Sequence, residues 1–322
     1  MKLVRSKKNL SQIVVYIRIV TLVLFIGSSI CFSGISFAST ARRDVQKNEP
    51  KIEAVVFDLG GVLVEASKMS IVKEIGVLSL FKYLLARHDP RLMQQKMFDI
   101  LDEVEPLDKN GPKAFSPDGK RLLPQPLRDW LSGKKTSVKL LGGAKAFIES
   151  NPNSFDDMTQ QRFIQKAINV IFSPKTFTKT ISPFAKGVKF VKQCKDRGLK
   201  VLILSNFDAE SYELIKKKSP DLFELFEEKN IFISGRMGTI KPDQAIYKSF
   251  IEQSDINPAS CVFFDDQEEN VKAAKLCGLK AVLVEKNKGL ICSGPNYASM
   301  QKELDRFIGL EQQETSMHRQ EA

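Results

Sequence analysis

Cysteine is scarce in this chain, at five of 322 residues. Four of the five, Cys194, Cys261, Cys277 and Cys292, lie beyond position 38. A disulfide framework stabilises small domains with poor cores, whereas a chain of this length can bury a sizeable core. Because Cys194 and Cys277 fall on apolar faces of predicted helices and Cys261 opens a predicted strand, we expect buried free thiols.

Acidic residues are missing from the first 38 positions, which carry five basic ones. Of the 49 basic residues, 44 therefore lie beyond them with all 38 acidic residues, a net charge of +6 instead of +11 for the whole chain. This remaining excess lies on lysine-rich helix surfaces, densest at Lys216 to Lys218, with no aromatic residues interleaved. We therefore expect no nucleic-acid partner.

The sequence also lacks an uninterrupted apolar run of about 20 residues, the length that spans a bilayer. Its longest apolar stretch, residues 19–32, follows a basic start and Arg18, and it ends shortly before Ser36, Phe37 and Ala38. This order is typical of a secretory signal peptide, so we expect cleavage near Ala38 and export to the periplasm or the exterior. The alternative is an uncleaved membrane anchor, since residues 13–17 continue the apolar stretch beyond Arg18.

Two kinds of hydrophobic spacing divide the rest of the chain. Apolar residues recur three and four positions apart at Ile71, Ile75, Leu78 and Leu85, which predicts helices. From residue 183 onward, predicted helices alternate with short apolar strands. Such alternation produces right-handed βαβ units and a parallel sheet covered by helices. The sequence therefore predicts an α/β fold with a Rossmann-like, doubly wound parallel sheet.

The first strand of that sheet lies far upstream of the others, so the helical stretch between them is predicted to be an insertion. The predicted organisation is a signal peptide (1–38), a linker (39–50), a catalytic core in two pieces (51–65 and 181–290), an inserted helical cap (66–180), and a C-terminal helix and tail (291–322).

Asp58 is the most informative residue of the chain. It follows the apolar residues Val55, Val56 and Phe57 and precedes a two-glycine turn. A β-branched run without polar interruption is typical of a strand buried on both faces of a parallel sheet. Because ligands of such sheets bind at the carboxyl ends of the strands, we expect Asp58 to be functional.

Four short segments at or just beyond predicted strand ends strengthen this interpretation. They are Phe57-Asp58-Leu59-Gly60-Gly61-Val62, Leu204-Ser205-Asn206, Lys241-Pro242-Asp243, and Phe264-Asp265-Asp266 with Glu269-Asn270-Val271. In this order the segments resemble the haloacid dehalogenase (HAD) superfamily, in its phosphatase branch with a helical C1-type cap. The resemblance extends over residues 51–290.

The resemblance implies a Mg²⁺-dependent hydrolase that acts on a small phosphorylated metabolite through an aspartyl-phosphate. Phosphoryl transfer needs a nucleophile, a cation and donors that hold the phosphoryl oxygens. The implied roles are Asp58 as nucleophile, Lys241 as a catalytic and phosphate-binding cation, Ser205 and Asn206 as phosphate ligands, Asp58, Asp266 and the Gly60 carbonyl as metal ligands, and Asp265 and Asn270 as supports of the metal's waters.

Gly60 departs from the family pattern. Most phosphatases of this superfamily carry a second Asp two residues after the nucleophile, where it acts as general acid and base. Its loss favours substrates whose leaving group departs with little help, such as a sugar 1-phosphate. Glu65 and His88 are the alternative proton donors that the sequence offers.

Two other functions fit parts of the same pattern. A 2-haloacid dehalogenase also uses an Asp nucleophile and needs no acid at Gly60, but a metal-free enzyme has no use for adjacent acids at Asp265 and Asp266. Gly60 slightly favours the second alternative, a non-catalytic protein that keeps the fold and binds a phosphorylated ligand or partner. The intact Asp58 and Lys241 count against that second alternative.

Overall fold

The computed structural model describes residues 50–108, 114–116, 121–287 and 294–309. The predicted signal peptide, the linker up to residue 49, Cys292 and the tail beyond residue 309 lie outside the described residues. Within the described ranges, none of the helices combines the length and apolar character needed to cross a membrane.

Five parallel strands form the central sheet, in the order β5-β4-β1-β6-β7. Asp58 follows the central strand, and each neighbouring pair is parallel. The strands of this sheet are β1 (Ala54–Phe57), β4 (Lys200–Ser205), β5 (Ile231–Ile233), β6 (Cys261–Asp265) and β7 (Lys280–Leu283).

The side chains of β1 alternate between two hydrophobic cores, one on each face of the sheet. Val55 and Phe57 belong to one core and Ala54 and Val56 to the other. Because successive residues of a strand point to opposite faces, a fully apolar strand requires cover on both sides. The helices of the first core are α8 (Ala185–Asp196), α9 (Ala209–Lys218) and α14 (Tyr297–Ile308). Those of the second are α12 (Gln244–Ser254) and α13 (Glu268–Leu276).

Helices therefore cover both faces of a parallel sheet, and the predicted α/β, doubly wound fold is confirmed. Two shorter helices complete this part of the molecule, α10 (Pro220–Phe223) and α11 (Ser234–Met237). Cys194 and Cys261 are buried free thiols as predicted, whereas Cys277 is a free thiol that is only half-buried.

A two-stranded antiparallel ribbon, which the sequence pattern did not predict, connects the sheet to the helical residues. Its strands are β2 (Val64–Ala66) and β3 (Ile181–Pro183), paired with Glu65 opposite Ser182. The chain leaves the sheet through β2 and returns through β3. Everything between the two strands is consequently an insertion into the α/β part, which we call the helical insert.

The helical insert has its own hydrophobic core, with members such as Met93, Trp130 and Phe163. Its helices are α1 (Lys68–Ile75), α2 (Val77–Leu85), α3 (Met93–Val104), α4 (Gln125–Leu131), α5 (Ser137–Ser150), α6 (Met158–Phe172) and α7 (Pro174–Thr180). The apolar spacing from Ile71 to Leu85 is shared by two helices. Gly76, at φ 96°, interrupts the helix between them, since that conformation suits glycine alone.

Specific contacts fix the helical insert against the sheet. Ile240, from the segment before Lys241, packs into the core of the insert. The Ser234 hydroxyl donates to the Leu131 carbonyl over 2.7 Å, and the Lys218 ammonium donates to the Thr178 carbonyl over 2.8 Å. The insert thus contacts the α/β part directly beside Lys241, one of the predicted site residues.

Candidate active site

Asp58 lies directly beyond β1, where the parallel strands end. Its backbone N–H donates to the Phe264 carbonyl over 2.9 Å, which continues the pairing of β1 with β6 for one more residue. The residue as a whole is only 6% exposed. Next to it, the Leu59 N–H donates to the Ser205 hydroxyl over 3.4 Å, so the ends of β1 and β4 are also held together.

Lys241 carries a fully buried ammonium group that joins two of the predicted acids. Its Nζ lies 3.0 Å from Asp58 Oδ1 and 2.6 Å from Asp265 Oδ2, and it donates to the Leu204 carbonyl over 3.0 Å. The Lys241–Pro242 peptide bond is cis. The structure therefore brings the nucleophile candidate, the cation and one of the paired acids into direct contact, although they are distant in sequence.

Asn206 has a different role from the one that the sequence suggested for its side chain. Its Nδ2 donates to the Lys241 carbonyl over 2.9 Å, and its Oδ1 accepts from the Lys241 N–H over 2.7 Å. Both ends of the amide are thus bound to the backbone of one residue, because the end of β4 lies against that segment. The Asn206 side chain therefore positions Lys241.

Asp265, the last residue of β6, is completely buried and surrounded by donors. Besides Lys241, it accepts hydrogen bonds from Asn270 Nδ2 at 3.1 Å to each oxygen and from the Gln267 N–H at 2.8 Å. The main chain at Asn270 is held in turn, since Tyr247 Oη donates to the backbone carbonyl of Asn270 over 2.9 Å. These bonds hold the Asp265 carboxylate in a fixed orientation toward Lys241.

Asp266 follows the end of β6, and the chain has turned enough for its carboxylate to lie on the same side as that of Asp58. Gly61, at φ 74°, faces this carboxylate so closely that a methyl group there would overlap it. Lys286, which no sequence motif indicated, lies 3.1 Å from Asp266 Oδ2. It reaches the site from just beyond β7, a position without a distinctive local pattern.

Three carboxylates converge at this edge of the sheet. Oxygen atoms of Asp58, Asp265 and Asp266 all lie within 4.8 Å of one another. Oxygen donors of this kind are the ligands that Mg²⁺ prefers in proteins, so the donor set fits such a cation. Gly60 borders the cluster, and a Cβ atom added to it would meet no atom within 4 Å.

Burial and mutual repulsion shift the acid–base properties of the cluster. Burial raises the pKa of the Asp58 carboxyl to about 7, because desolvation outweighs the lowering effect of the Lys241 ammonium, and the charges of Asp265 and Asp266 add to the rise. Burial likewise raises the pKa of Asp266, against the opposing charge of Lys286. Burial alone would lower the pKa of the Lys241 ammonium, but the charges of Asp265 and Asp58 outweigh this effect and raise that pKa. A bound cation would lower the pKa of the acids.

The two alternative proton donors lie in other surroundings. His88 Nε2 is 3.0 Å from Asp157 Oδ2, and its ring contacts Tyr83 at a centroid distance of 4.9 Å, and both of these partners belong to the helical insert. Glu65 is exposed on β2, where partial burial raises its pKa and Lys68 opposes that rise. Neither residue forms a contact with Asp58 among those that the structure describes.

Comparison with known proteins agrees with this arrangement. A model of the haloacid dehalogenase-like hydrolase family matches residues 52–278. The chain belongs to this family. The match begins at the strand that carries Asp58 and ends just beyond helix α13, so it includes Lys241 and Asp266 as well as the helical insert. The protein is accordingly a HAD-like hydrolase.

Among curated relatives, similarity is found to the sesquiterpene phosphatase astK of Aspergillus oryzae, with 30% identity over 107 residues, 32% of this chain and 53% of the relative. Phosphatase MT3486 of Mycobacterium tuberculosis is 30% identical over 98 residues, 30% of this chain and 44% of the relative. The matched segments thus span about half the length of each relative.

Solved structures of this family resemble the chain more distantly. A HAD-like family hydrolase from Porphyromonas gingivalis has 19% identity and a TM-score of 0.47, covering 80% of this chain and 99% of that one. A HAD family enzyme from Bacteroides thetaiotaomicron, solved with magnesium and inorganic phosphate, has 16% identity and a TM-score of 0.44, covering 73% of this chain and 94% of that one.

Proposed function

We propose that this HAD-like hydrolase is a Mg²⁺-dependent phosphatase that cleaves small phosphorylated metabolites through an aspartyl-phosphate on Asp58. The observation that carries the proposal is the convergence of Asp58, Asp265 and Asp266 within 4.8 Å, with the Lys241 ammonium between two of them. A carboxylate nucleophile beside a fixed cation is what transfer of an anionic phosphoryl group requires.

The metal would be held by Asp58, Asp266 and the Gly60 carbonyl, with Asp265 and Asn270 orienting its waters. When bound, Mg²⁺ neutralises charge on the transferring oxygens and on the acids themselves. The raised pKa of Asp58 supports this assignment, since such a carboxyl ionises at neutral pH most readily beside a cation.

In the first step, a carboxylate oxygen of Asp58 attacks phosphorus and the bond from phosphorus to the ester oxygen breaks. Lys241 and backbone N–H groups beyond β1 and β4 hold the phosphoryl oxygens while the alkoxide leaves and takes up a proton. In the second step, water attacks the phosphorus of the aspartyl-phosphate, which releases inorganic phosphate and restores Asp58.

Gly60 offers no side chain to protonate the leaving group, and general acids typically contribute about 10² to 10⁴ in rate. We therefore propose substrates whose leaving oxygen needs little protonation, with a sugar 1-phosphate as the leading class. A sugar 1-phosphate is expected to be hydrolysed much faster than the corresponding 6-phosphate, and equal rates would exclude this proposal.

The test is phosphate release by the purified protein from a panel of phosphorylated metabolites, with Mg²⁺ or with EDTA. We expect release that needs Mg²⁺ and disappears in Asp58→Asn, a variant that preserves side-chain size. Lys229→Met, which removes an exposed lysine, serves as control. Chloride release from 2-chloropropionate without phosphate release would identify a dehalogenase instead. Neither activity, with phosphorylated ligands still bound, would identify a binding protein.

The cellular setting is part of the proposal. The basic, apolar and small-residue order of positions 1–38 supports export after cleavage near Ala38, or anchoring to a membrane if the segment is retained. Amino-terminal sequencing of the protein from its native host distinguishes the two, because cleavage would place the new terminus near Ser39.

A further inference from the structure

Helix α2 exposes an apolar stripe to solvent. Leu78 and Leu85 are each 65% exposed, Val77 is 57% exposed and Phe81 is 41% exposed. The opposite side of the same helix carries Leu80 and Tyr83, which are buried in the core of the helical insert. We call the four exposed residues the α2 stripe.

This stripe belongs to a concentrated patch. Among the described residues, ten large apolar side chains are conspicuously exposed, and six of them lie between positions 69 and 92. Scattered exposed apolar residues are normal on a protein surface, whereas a concentration of them marks a site of interaction.

A basic groove lies beside the α2 stripe. It has a volume of about 800 Å³ and runs between α1 and α2 on one side and α5 and α6 on the other. The charged side chains that line it are Lys82, Lys145, Arg162, Lys166 and Glu74. The single acid is already paired, since Glu74 lies 3.3 Å from Lys179.

Most of these cations have no acidic partner. Within the described ranges, Lys82, Arg162 and Lys166 form no ion pair, and the ammonium of Lys166 donates only to the Ser79 hydroxyl over 2.6 Å. Lys82 belongs to α2 itself, so unpaired positive charge directly borders the apolar stripe. From residue 77 to residue 87 the sequence has two basic residues and no acidic one.

We propose that the α2 stripe and the basic groove together bind the surface of an anionic membrane. Helix α2 would lie in the plane of the interface, with Leu78, Phe81 and Leu85 among the upper acyl chains. Lys82 and Arg162 would contact lipid phosphates. An apolar face bordered by basic residues, with leucine and phenylalanine on the buried side, is the pattern of an interfacial helix.

The rest of the chain supports a membrane as the occupant. Forty-nine residues precede Pro50, and they contain the basic start and the apolar stretch at 19–32 that direct a protein to a membrane. The linker of residues 39–50 can span up to about 40 Å when extended. A retained anchor would hold the chain at a bilayer, and the basic residues of both segments favour anionic lipid.

Local hydrogen–deuterium exchange tests the proposal, because it reports on α2 separately from any binding by the amino-terminal segment. The full-length protein is incubated alone, with phosphatidylcholine vesicles, or with vesicles that also contain phosphatidylglycerol. We expect the amides of residues 77–85 to exchange about tenfold more slowly or more with the anionic vesicles only. At 1 M salt, where the Debye length is about 3 Å, this protection should be largely lost.

Three variants complete the design. Phe81→Glu combined with Leu85→Glu, and separately Arg162→Glu, should abolish the protection of α2 by anionic vesicles. Leu276→Glu places the same charge at a side chain that is 75% exposed on α13, so it should leave the protection unchanged. All four positions are exposed, and circular dichroism checks that the variants fold.

Three results would overturn the proposal. Vesicles that bind the protein without slowing exchange in α2 would assign the binding to the amino-terminal segment alone. Equal protection by neutral vesicles would remove the role of the basic groove. Protection that is already present without lipid, and is lost in the Phe81 and Leu85 variant, would show that residues 1–49 or a second copy of the chain cover the stripe.

Discussion

Replacing Lys241 by methionine would remove the buried charge that holds the proposed site together. Methionine has nearly the same length and keeps the apolar contacts of the lysine stem. The ammonium is replaced by a methyl group between Asp58 Oδ1, at 3.0 Å, and Asp265 Oδ2, at 2.6 Å. The Leu204 carbonyl loses its donor as well.

The size of the effect follows from these distances. At an effective dielectric constant of about 20, each ion pair at such a separation is worth roughly 6 kcal/mol of Coulomb energy. Much of this Coulomb energy is offset by the free-energy cost of burying three charged groups. Removing one partner of a buried pair nevertheless costs about 3–5 kcal/mol, since the remaining charges stay buried without compensation. We expect the free energy of unfolding of Lys241→Met to fall by this amount at pH 8.

The assay is urea unfolding followed by circular dichroism in EDTA, at pH 8 and pH 5.5. Without the ammonium, the pKa of the Asp58 carboxyl rises further, so the folded variant takes up a proton that the unfolded chain does not. An acid whose pKa is raised in the folded state destabilises the fold least when the pH lies below that pKa, because the acid is then neutral. The difference in unfolding free energy between the parent and Lys241→Met should therefore be smaller at pH 5.5 than at pH 8.

Lys229→Met is the matched control, since this exposed lysine pairs with Glu227 at the surface, where ion pairs contribute about 0 to 1 kcal/mol. The reasoning would be refuted if Lys241→Met stayed within about 1 kcal/mol of the parent, the typical effect of an ordinary substitution. A large deficit that did not change between the two pH values would also contradict it.

Three further outcomes are expected. The side chain introduced by Gly60→Asp should fit the open space beside the cluster and accelerate hydrolysis of alkyl phosphates by about 10² or more. Hydrolysis of p-nitrophenyl phosphate should gain little, because its leaving group needs no acid. Equal gains on both substrates would contradict the role assigned to position 60. Gly61→Ala should weaken Mg²⁺ binding, measured by calorimetry, and destabilise the fold by about 1–3 kcal/mol. The causes are the φ of 74° at this position and the overlap of the new methyl group with Asp266. The control variant Gly60→Ala should have neither effect. In EDTA, Asp58 has a pKa of about 7 in the folded protein, so its contribution to stability is present at acidic pH and is lost as the pH rises through neutrality. The unfolding free energy of the parent should therefore fall between pH 4.5 and pH 8. Asp58→Asn should reduce this fall by about 1.4 kcal/mol or more, the equivalent of one pKa unit.

The sheet could be predicted from the sequence because the interiors of its strands are apolar. Val55 and Phe57 enter one core and Ala54 and Val56 the other, which is possible only in a sheet covered on both faces. Parallel strands then place all their carboxyl ends at one edge. The proximity of Asp58, Ser205 and Asp265 follows from topology alone, without any knowledge of side-chain conformation.

The remaining details depend on contacts that leave no local pattern. The Asn206 amide is bound to the backbone of Lys241, and a residue type cannot disclose whether its side chain will meet substrate or main chain. Lys286 neutralises Asp266 from a segment beyond the last strand. Strands β2 and β3 have three residues each, too few for an alternating pattern to be recognised.

The two adjacent glycines after the nucleophile show how residues of one type can differ in role. Gly61 is required by its conformation and by the carboxylate that faces it, whereas nothing around Gly60 excludes a side chain. Gly60 therefore supplies no acid, although space for a side chain exists there. If the site hydrolyses phosphate esters, the leaving group must depart without a proton or take one from solvent. Specificity for reactive phosphates would then follow from Gly60 itself.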